Sequence, residues 1–426
     1  ALRPYNWLKC LKEFGVEPIV VTRQWDNKYG NAFDYIAPSA TTDTIIEHTE
    51  FGTIIRAPFK PTISNRLLLK YGENRFRLLR KILTAINEVS QFMWICGPRK
   101  ELYKAADVYL KQNKVDGIIA TGEPFVLFYY AKKLGKRYTI PWIADYRDPW
   151  SKSSLKEISK IYFGWSRMLE RRIVSSANKI ISVSPLVEFK IRKNIIQVPI
   201  VEIGNGFDAD SVGQITNISQ GTEFFRIAFA GTIYEWHPWK SVVKQIVEFN
   251  KKSLTTKVFL DLYGTNIPTE IEEYLNSFDD TDTMNIRVYP KIENHNLLKK
   301  LSEYNAMLLF NDYDIIGTKI YDYLALRRKI IFCYSNDSNA IKLKEQFYTY
   351  FDVDFGGIRP QIDIIQQTNS GIIVENEQHL QQVLLELVQE FEATGQIACN
   401  SHGVENYSRK IQVQKLAEIV KQLSKN

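Results

Sequence analysis

The sequence predicts an α/β protein made of two doubly wound, Rossmann-like domains, and three observations lead there. The chain has 426 residues, too many for one ordinary hydrophobic core. Short β-branched runs alternate with longer amphipathic stretches along most of its length. That rhythm breaks once, at a polar stretch over 208–222, and then starts again.

In the first series the strand-like runs are 18–22, 53–56, 116–121, 140–146 and 179–184. In the second they are 225–232, 257–264, 285–290, 307–311, 329–334 and 371–374. Between them, stretches such as 102–110, 125–134, 242–249 and 380–391 carry apolar residues at helical spacing. Near-continuous apolar strands alternating with helices imply parallel sheets covered on both faces. Each series is long enough for one doubly wound sheet. The boundary is expected after Ile203-Gly204-Asn205-Gly206-Phe207-Asp208, giving a first domain over 1–205 and a second over 206–404. A final helix near 405–423 follows the completed second series.

Composition narrows the class. Hydrophobic residues make up 45% and charged residues 24%, the mix of a soluble globular protein. No apolar run approaches the roughly eighteen residues of a membrane-spanning helix, and the first residues lack the apolar core of a secretory signal. Cys10, Cys96, Cys333 and Cys399 lie far apart without C-x-x-C spacing, which argues against a zinc site or disulfide framework and fits a reducing cytoplasm. Cys333, inside Ile330-Ile331-Phe332-Cys333-Tyr334, reads as a small buried hydrophobe. The net charge of +7 divides unevenly, with 33 Lys+Arg against 18 Asp+Glu in residues 1–200 and 22 against 30 in the remainder. A basic half joined to an acidic half expects one domain to meet an anionic partner.

Four segments carry candidate chemistry. Phe229-Ala230-Gly231-Thr232 is a strand ending in Gly before a helix near Pro238. Amides and the helix dipole at such a turn attract phosphate, and Gly lets a diphosphate come close; the alternative is that Gly231 only turns the chain. The segment from Asn311 to Ala325 runs from a strand through a polar loop into a helix opening near Thr318. Asp314 in the loop and Asp322 in the first turns can face one ligand, and carboxylates suit sugar and ribose hydroxyls. Thr318 and Lys319 sit where an anion binds; a Lys there opposes the dipole unless a phosphate offsets it. An ordinary capped helix with solvated charges is the competing reading. Asp145-Tyr146-Arg147-Asp148-Pro149-Trp150 follows a buried strand, at the end where open α/β sheets bind ligands. It reads either as a site or as an Asp–Arg pair closing a loop, with Asp148 as a turn residue. Thr121-Gly122-Glu123-Pro124 again ends a strand and opens a helix, either lining the same cleft or serving as a plain helix start.

Together these pieces resemble, over nearly the whole chain, the family 4 retaining glycosyltransferases of the two-Rossmann (GT-B) fold, with two facing domains and a C-terminal helix crossing back to the first. The family's Glu-x7-Glu signature has its counterpart in Asp314-x7-Asp322, both acids shortened to Asp. Gly317-Thr318-Lys319-Ile320-Tyr321-Asp322-Tyr323-Leu324-Ala325 is similar to the "K-[VI]-[FY]-E-Y-L-A" stretch of one branch. Asn205-Gly206-Phe207-Asp208 resembles the "N-G-[FV]-D" that ends the first domain, and Asp145-Tyr146-Arg147-Asp148-Pro149-Trp150 resembles "D-x-R-D-P-W". The family's conserved His after this strand falls at Asp145. Tyr407-Ser408-Arg409 resembles the "[FY]-S-R" before the last helix, here 405–426, which completes the first domain. The family begins with a strand and Gly-rich loop before "L-R-P"; this sequence begins at Leu2-Arg3-Pro4, so that first strand is expected outside it.

The resemblance implies a UDP- or GDP-linked sugar as donor and a hydroxyl acceptor, in cell-surface polysaccharide or glycolipid synthesis. Gly231, Thr232, Thr318 and Lys319 would hold phosphates, Asp322 the ribose, the backbone at Lys291 and Ile292 the base, and Asp314 the sugar. Lys240 stands for the family's Arg/Lys pair after the Gly turn, with His237 nearby. Asp145 or Asp148 would orient or deprotonate the acceptor hydroxyl, with Gly122, Glu123 and Arg147 on the acceptor side. Cations and amide dipoles beside the leaving group can replace a metal, so no metal or cofactor is expected; Asp352-Val353-Asp354 has D-x-D form but lies in an unrelated region. Residues 60–81 hold seven cations against Glu73, interleaved with Leu and Phe. They read either as a face for an anionic membrane and a lipid-linked acceptor, hence a cytoplasmic protein peripheral on the inner face, or as a solvated helix with its Leu residues in the core. Nucleic acid is not expected, since no such motif occurs. The rivals are a nucleotide-sugar 2-epimerase and a catalytically degenerate sugar-nucleotide-binding scaffold.

Overall fold

The computed structural model describes residues 2–25, 32–151, 160–213, 218–312, 316–335, 340, 342–343 and 359–423. The first half runs α1 (Leu2–Cys10), β1 (Ile19–Arg23), β2 (Ile45–Thr49), β3 (Gly52–Ala57), α2 (Ile63–Tyr71), α3 (Arg77–Ser90) and α4 (Lys100–Gln112). It continues with β4 (Ile118–Gly122), α5 (Val126–Tyr138), β5 (Trp142–Tyr146), α6 (Lys160–Val174), β6 (Lys179–Ser182), α7 (Pro185–Arg192) and β7 (Ile200–Glu202). After α8 (Ala209–Gly213) come β8 (Phe225–Ala230), α9 (Trp239–Lys252), β9 (Val258–Tyr263), α10 (Pro268–Leu275), α11 (Asp280–Thr283), β10 (Ile286–Tyr289), α12 (Asn294–Leu301), β11 (Ala306–Phe310), α13 (Lys319–Leu326) and β12 (Lys329–Cys333). The helix Pro360–Thr368, β13 (Gly371–Val374), the helix Glu377–Thr394 and the C-terminal helix Arg409–Leu423 complete it.

Every run read as a strand forms one. The second-half sheet is wholly parallel with order β10-β9-β8-β11-β12-β13. Renumbered from β8, this is the doubly wound order 3-2-1-4-5-6, which reverses between β8 and β11. Alternation along the strands feeds two cores. Phe225, Ile227 and Phe229 pack under α9 and Glu377–Thr394, whereas Ala228 and Ala230 pack under α12 and α13. With period-two strands these are opposite faces of one sheet.

The first half departs from a single sheet. Strands β4-β5-β6-β7 form one parallel sheet, and β1-β3-β2 a separate one in which β2 runs antiparallel. Strand β2 went unread because Ile45, Ile46, Glu47 and His48 are all exposed, so no face repeats as apolar. The C-terminal helix lies against the first half. Its Val413, Leu416, Ala417 and Ile419 pack with Trp7, Leu11, Ile143, Ile181 and Ile203. Two strands of chain therefore pass between the lobes side by side, bridged by Phe207 N–H to the Tyr407 carbonyl at 3.0 Å and Arg409 N–H to the Phe207 carbonyl at 2.8 Å. Gly206 makes that approach possible: it has φ 64°, and a Cβ there would lie 2.7 Å from the Tyr407 carbonyl oxygen. Cys333 is fully buried, as its apolar run implied, and all four cysteines are free. Among the described residues no helix is long and apolar enough to cross a membrane.

Candidate functional site: the crevice at the strand-order reversal

Where an open parallel sheet reverses its strand order, neighbouring loops diverge and leave a crevice at the C-terminal strand ends. Here that crevice lies between the loops after β8 and β11, and helix α13 opens beside it. Gly231 follows β8 with φ 102°, and its N–H donates to the Tyr263 carbonyl at 2.9 Å. A Cβ at this position would lie 2.7 Å from Cε of Lys319, so the lysine stem fills the space that glycine leaves. Lys319, first residue of α13, donates from Nζ to the Thr232 carbonyl at 2.9 Å and stands 4.5 Å from the Phe229 ring centroid. Burial pushes its pKa down to about 8, a shift that the nearby Asp312 carboxylate opposes. Gly231 and Thr232 from one segment and Lys319 from another thus meet at one spot. Thr318 is exposed at the N-cap of α13, and its side chain makes no capping hydrogen bond.

Behind this spot lies a buried polar pair that sequence reading did not assign. His237 Nε2 lies 2.6 Å from Asp312 Oδ1, and His237 Nδ1 accepts the Tyr234 N–H at 3.1 Å. The Tyr234 contact makes Nδ1 an acceptor, so the ring proton on Nε2 faces the carboxylate. Asp312 N–H donates to Gln361 Oε1 at 2.8 Å, which ties β11 to the helix Pro360–Thr368. The signal available in sequence was Asp312 directly following an apolar strand, a costly place for an acid without a partner.

Asp322 lies one turn into α13. Burial raises its pKa to about 6, against the pull of Arg409. The hydroxyl oxygen of its neighbour Tyr323 accepts the Ala230 N–H at 3.0 Å, which locks α13 to the end of β8. Asp314 lies outside the described residues, as do Asp352 and Asp354. Ile292 is half-buried beyond β10, and the Lys291 Cα is 3.2 Å from where a Cβ of Gly264 would stand. The loops after β9 and β10 therefore touch. Lys240 is not brought to the crevice. Its Nζ lies 5.4 Å from the Trp239 ring and 5.5 Å from that of Tyr274, because α9 turns its apolar residues to the sheet and lays Lys240 along α10.

In the first lobe Asp145 is wholly buried and paired with Arg3, not Arg147. Arg3 Nη2 and Nε approach its Oδ1 at 3.0 and 3.2 Å, while Arg3 Nη1 donates to the Gly204 carbonyl at 2.9 Å. Asp145 Oδ2 has no hydrogen-bond partner among the described residues. Arg147 and Asp148 are exposed beyond the end of β5, and Trp150 anchors that loop by stacking on Phe125 at 5.1 Å. Gly122 is needed by packing, since a Cβ would lie 2.7 Å from the Phe125 ring; Glu123 beside it is exposed. A cavity of about 360 Å³ lies between the lobes at the crossover, lined by Glu202, Gly204, Tyr321, Asp363, Tyr407 and Lys415 among others. It borders the crossing segments rather than Gly231 and Lys319. The cationic, glycine-opened spot is the better candidate for an anion, because charge and approach coincide there. Among the described residues no cluster of three or more His, Cys, Asp or Glu is arranged to hold a metal.

No protein-family model and no curated protein sequence matches the chain. Solved structures do. An α,α-trehalose-phosphate synthase (UDP-forming) from Burkholderia vietnamiensis aligns with TM-score 0.58 at 8% identity, covering 96% of this chain and 99% of that one. A sucrose-phosphate synthase from Thermosynechococcus elongatus aligns with TM-score 0.54 at 14% identity, covering 98% and 91%. A glycosyltransferase from Rickettsia africae aligns with TM-score 0.52 at 15% identity, covering 76% and 80%. At such identities the likeness is one of architecture, and it agrees with the parallel sheets and reversed strand order described above. The chain has the α/β, two-lobed GT-B fold of glycosyltransferases.

Proposed function

We propose that this protein is a glycosyltransferase that moves a sugar from a UDP- or GDP-linked donor to a hydroxyl acceptor. The observation that carries the reading is the convergence of Gly231, Thr232 and Lys319 at the reversal between β8 and β11. A diphosphate placed there meets an ammonium, the opening amides of α13 and a backbone without a Cβ. The nucleotide diphosphate is the leaving group, so a preorganised cation beside it stabilises charge that grows in the transition state. Lys319 can supply this without a metal ion. Its present partner, the Thr232 carbonyl, gives way to a phosphate oxygen, a stronger charge-assisted acceptor. The pair His237–Asp312 places a negative charge near Lys319, which offsets part of the lowering that burial imposes on the lysine's pKa.

Asp322 takes the ribose hydroxyls, Asp314 orients the sugar, and the backbone at Lys291 and Ile292 borders the base. On the opposite lobe Asp148 is free to approach an acceptor hydroxyl. Asp145, two residues before Arg147 and paired with Arg3, fixes the strand end from which that loop leaves. Transfer with retained anomeric configuration to a lipid-linked acceptor at the cytoplasmic membrane face, in surface polysaccharide or glycolipid synthesis, completes the proposal. The four free thiols fit a reducing compartment.

The test is incubation with a panel of nucleotide sugars, preceded by thermal-shift screening with UDP, GDP and their sugars, since a ligand of the native state raises stability. Free nucleotide diphosphate supports transfer or slow hydrolysis. An isomerised donor would establish the epimerase instead, and binding without turnover the scaffold.

A further inference from the structure

Helix α3 is turned inside out. Arg77–Ser90 has no buried residue, although its apolar side chains form a regular stripe: Leu79, Ile82, Ile86 and Val89 recur at helical spacing, with Leu78 alongside. An amphipathic helix on a globular protein ordinarily lays such a stripe on the core. Here it is the polar side that meets the protein. Buried Ser64 of α2 donates from Oγ to the Arg80 carbonyl at 3.1 Å and lies 2.9 Å from the Thr84 hydroxyl, both on the face opposite the stripe. The stripe is left outward, with Leu78 73% and Ile86 58% exposed. Its ends carry exposed aromatic residues, Tyr71 and Phe76 at one and Trp94, 62% exposed, at the other, with Met93 beside it. Arg75, just before the helix, and Lys81, next to Ile82, lie at its border; both are exposed and have no carboxylate partner among the described residues. The expectation that these Leu residues sit in the core is not met for α3.

We infer that the α3 stripe is a docking surface for an anionic lipid bilayer, inserting Leu79, Ile82, Ile86 and Val89 among the acyl chains while Arg75 and Lys81 meet the headgroups. Charge decides between occupants. A second copy of this chain would bring its own Arg75 and Lys81 against these, and like charges repel across such a seam. An anionic headgroup layer complements them, and aromatic rings at both ends match the interfacial zone of a bilayer. The biological sense of the inference rests on the lipid-linked acceptor proposed above; its physical test does not.

That test is co-sedimentation of the full chain with phosphatidylcholine vesicles, with and without phosphatidylglycerol, at low and high salt. Binding is expected to the anionic vesicles and to weaken with salt. Replacing Arg75→Gln with Lys81→Gln lowers the partition coefficient roughly thirtyfold, and the triple change Leu79→Ser, Ile82→Ser, Ile86→Ser abolishes it. All five positions are outside the core, so circular dichroism and unfolding midpoint remain those of the parent. Failure of the parent chain to bind anionic vesicles overturns the inference, as does unchanged binding by the arginine–lysine variant. A dimer in sedimentation velocity that the triple change disperses also overturns it, by showing a protein seam instead. Donor hydrolysis, measured without lipid, reports on the cleft separately, so either reading can fail while the other stands.

Discussion

Changing Asp145 to Asn removes one charge from the most enclosed ion pair among the described residues of the first lobe. The side chains of Arg3 and Asp145 are 5% and 0% exposed, with the guanidinium 3.0 Å from the carboxylate. Asparagine keeps the shape and one acceptor oxygen but removes the countercharge, leaving a buried guanidinium with only neutral acceptors, the amide oxygen and the Gly204 carbonyl. Breaking a buried pair from one side costs about 3–5 kcal/mol, because the surviving charge stays desolvated. Arg3→Met alone is expected to cost a similar amount. The double change Arg3→Met with Asp145→Leu should cost clearly less than the two added together, since it buries no lone charge. Urea unfolding followed by circular dichroism and by tryptophan fluorescence measures all three, with coincident transitions as the check on two-state behaviour. An Asp145→Asn protein within about 1 kcal/mol of the parent would refute the pairing as a stability element. In that case Asp145 would be free for proton transfer, and a loss of kcat with unchanged stability would show it.

Three further outcomes follow from the crevice and the crossover. Lys319 has its pKa pushed down to about 8, so its folded-state penalty is present below that pH and relieved as pH rises toward the ordinary lysine range. Anion binding runs the other way: affinity for UDP or GDP, measured by calorimetry, should fall above pH 8 by up to about tenfold per pH unit, and Lys319→Met should flatten the profile. Asp322 has its pKa raised to about 6, which makes the folded chain lose stability as pH rises from the ordinary carboxylate range to that value. Asp322→Asn should therefore gain about 1–3 kcal/mol above pH 6 in unfolding experiments, while its affinity for a nucleotide sugar drops roughly tenfold or more. Leu416→Ala, at a site with no exposure, should cost about 2–5 kcal/mol, detected as a lower unfolding midpoint, because the methyl groups it removes pack on the first lobe from the last helix of the chain.

The strands were legible because parallel strands buried on both faces must be apolar throughout, and 329–334 or 371–374 leave little else to read. Strand β2 was illegible for the converse reason: it is an antiparallel edge with Ile45, Ile46, Glu47 and His48 all exposed, so no apolar alternation marks it. At the crevice, Gly231 and Lys319 could each be found from local rules for strand ends and helix starts. That the two side by side leave no room for a Cβ is a fact of packing between residues 88 apart, which no local pattern carries. The partner of Asp145 was misjudged on the same account. Arg147 was near in sequence, but Arg3, 142 positions away, is what α1 brings to the strand end. The basic stretch 60–81 reads as one amphipathic helix, but the structure breaks it between α2 and α3, and the contacts of Ser64 with Arg80 and Thr84 that turn the stripe of α3 outward join residues 16 and 20 positions apart.

The crossover at Phe207 and Ser408 has a practical corollary. Because the final helix is part of the first lobe's interior, a single protease cut in the connection after Asp208 would not release two independent bodies. The fragment ending there would still hold the far fragment by its tail, and the pair should travel together through a sizing column. Expressed without that tail, the first lobe would present Ile143, Ile181 and Ile203 to water and need its missing helix supplied in trans. The architecture is thus a loop closed on itself, and its halves are natural candidates for fragment complementation.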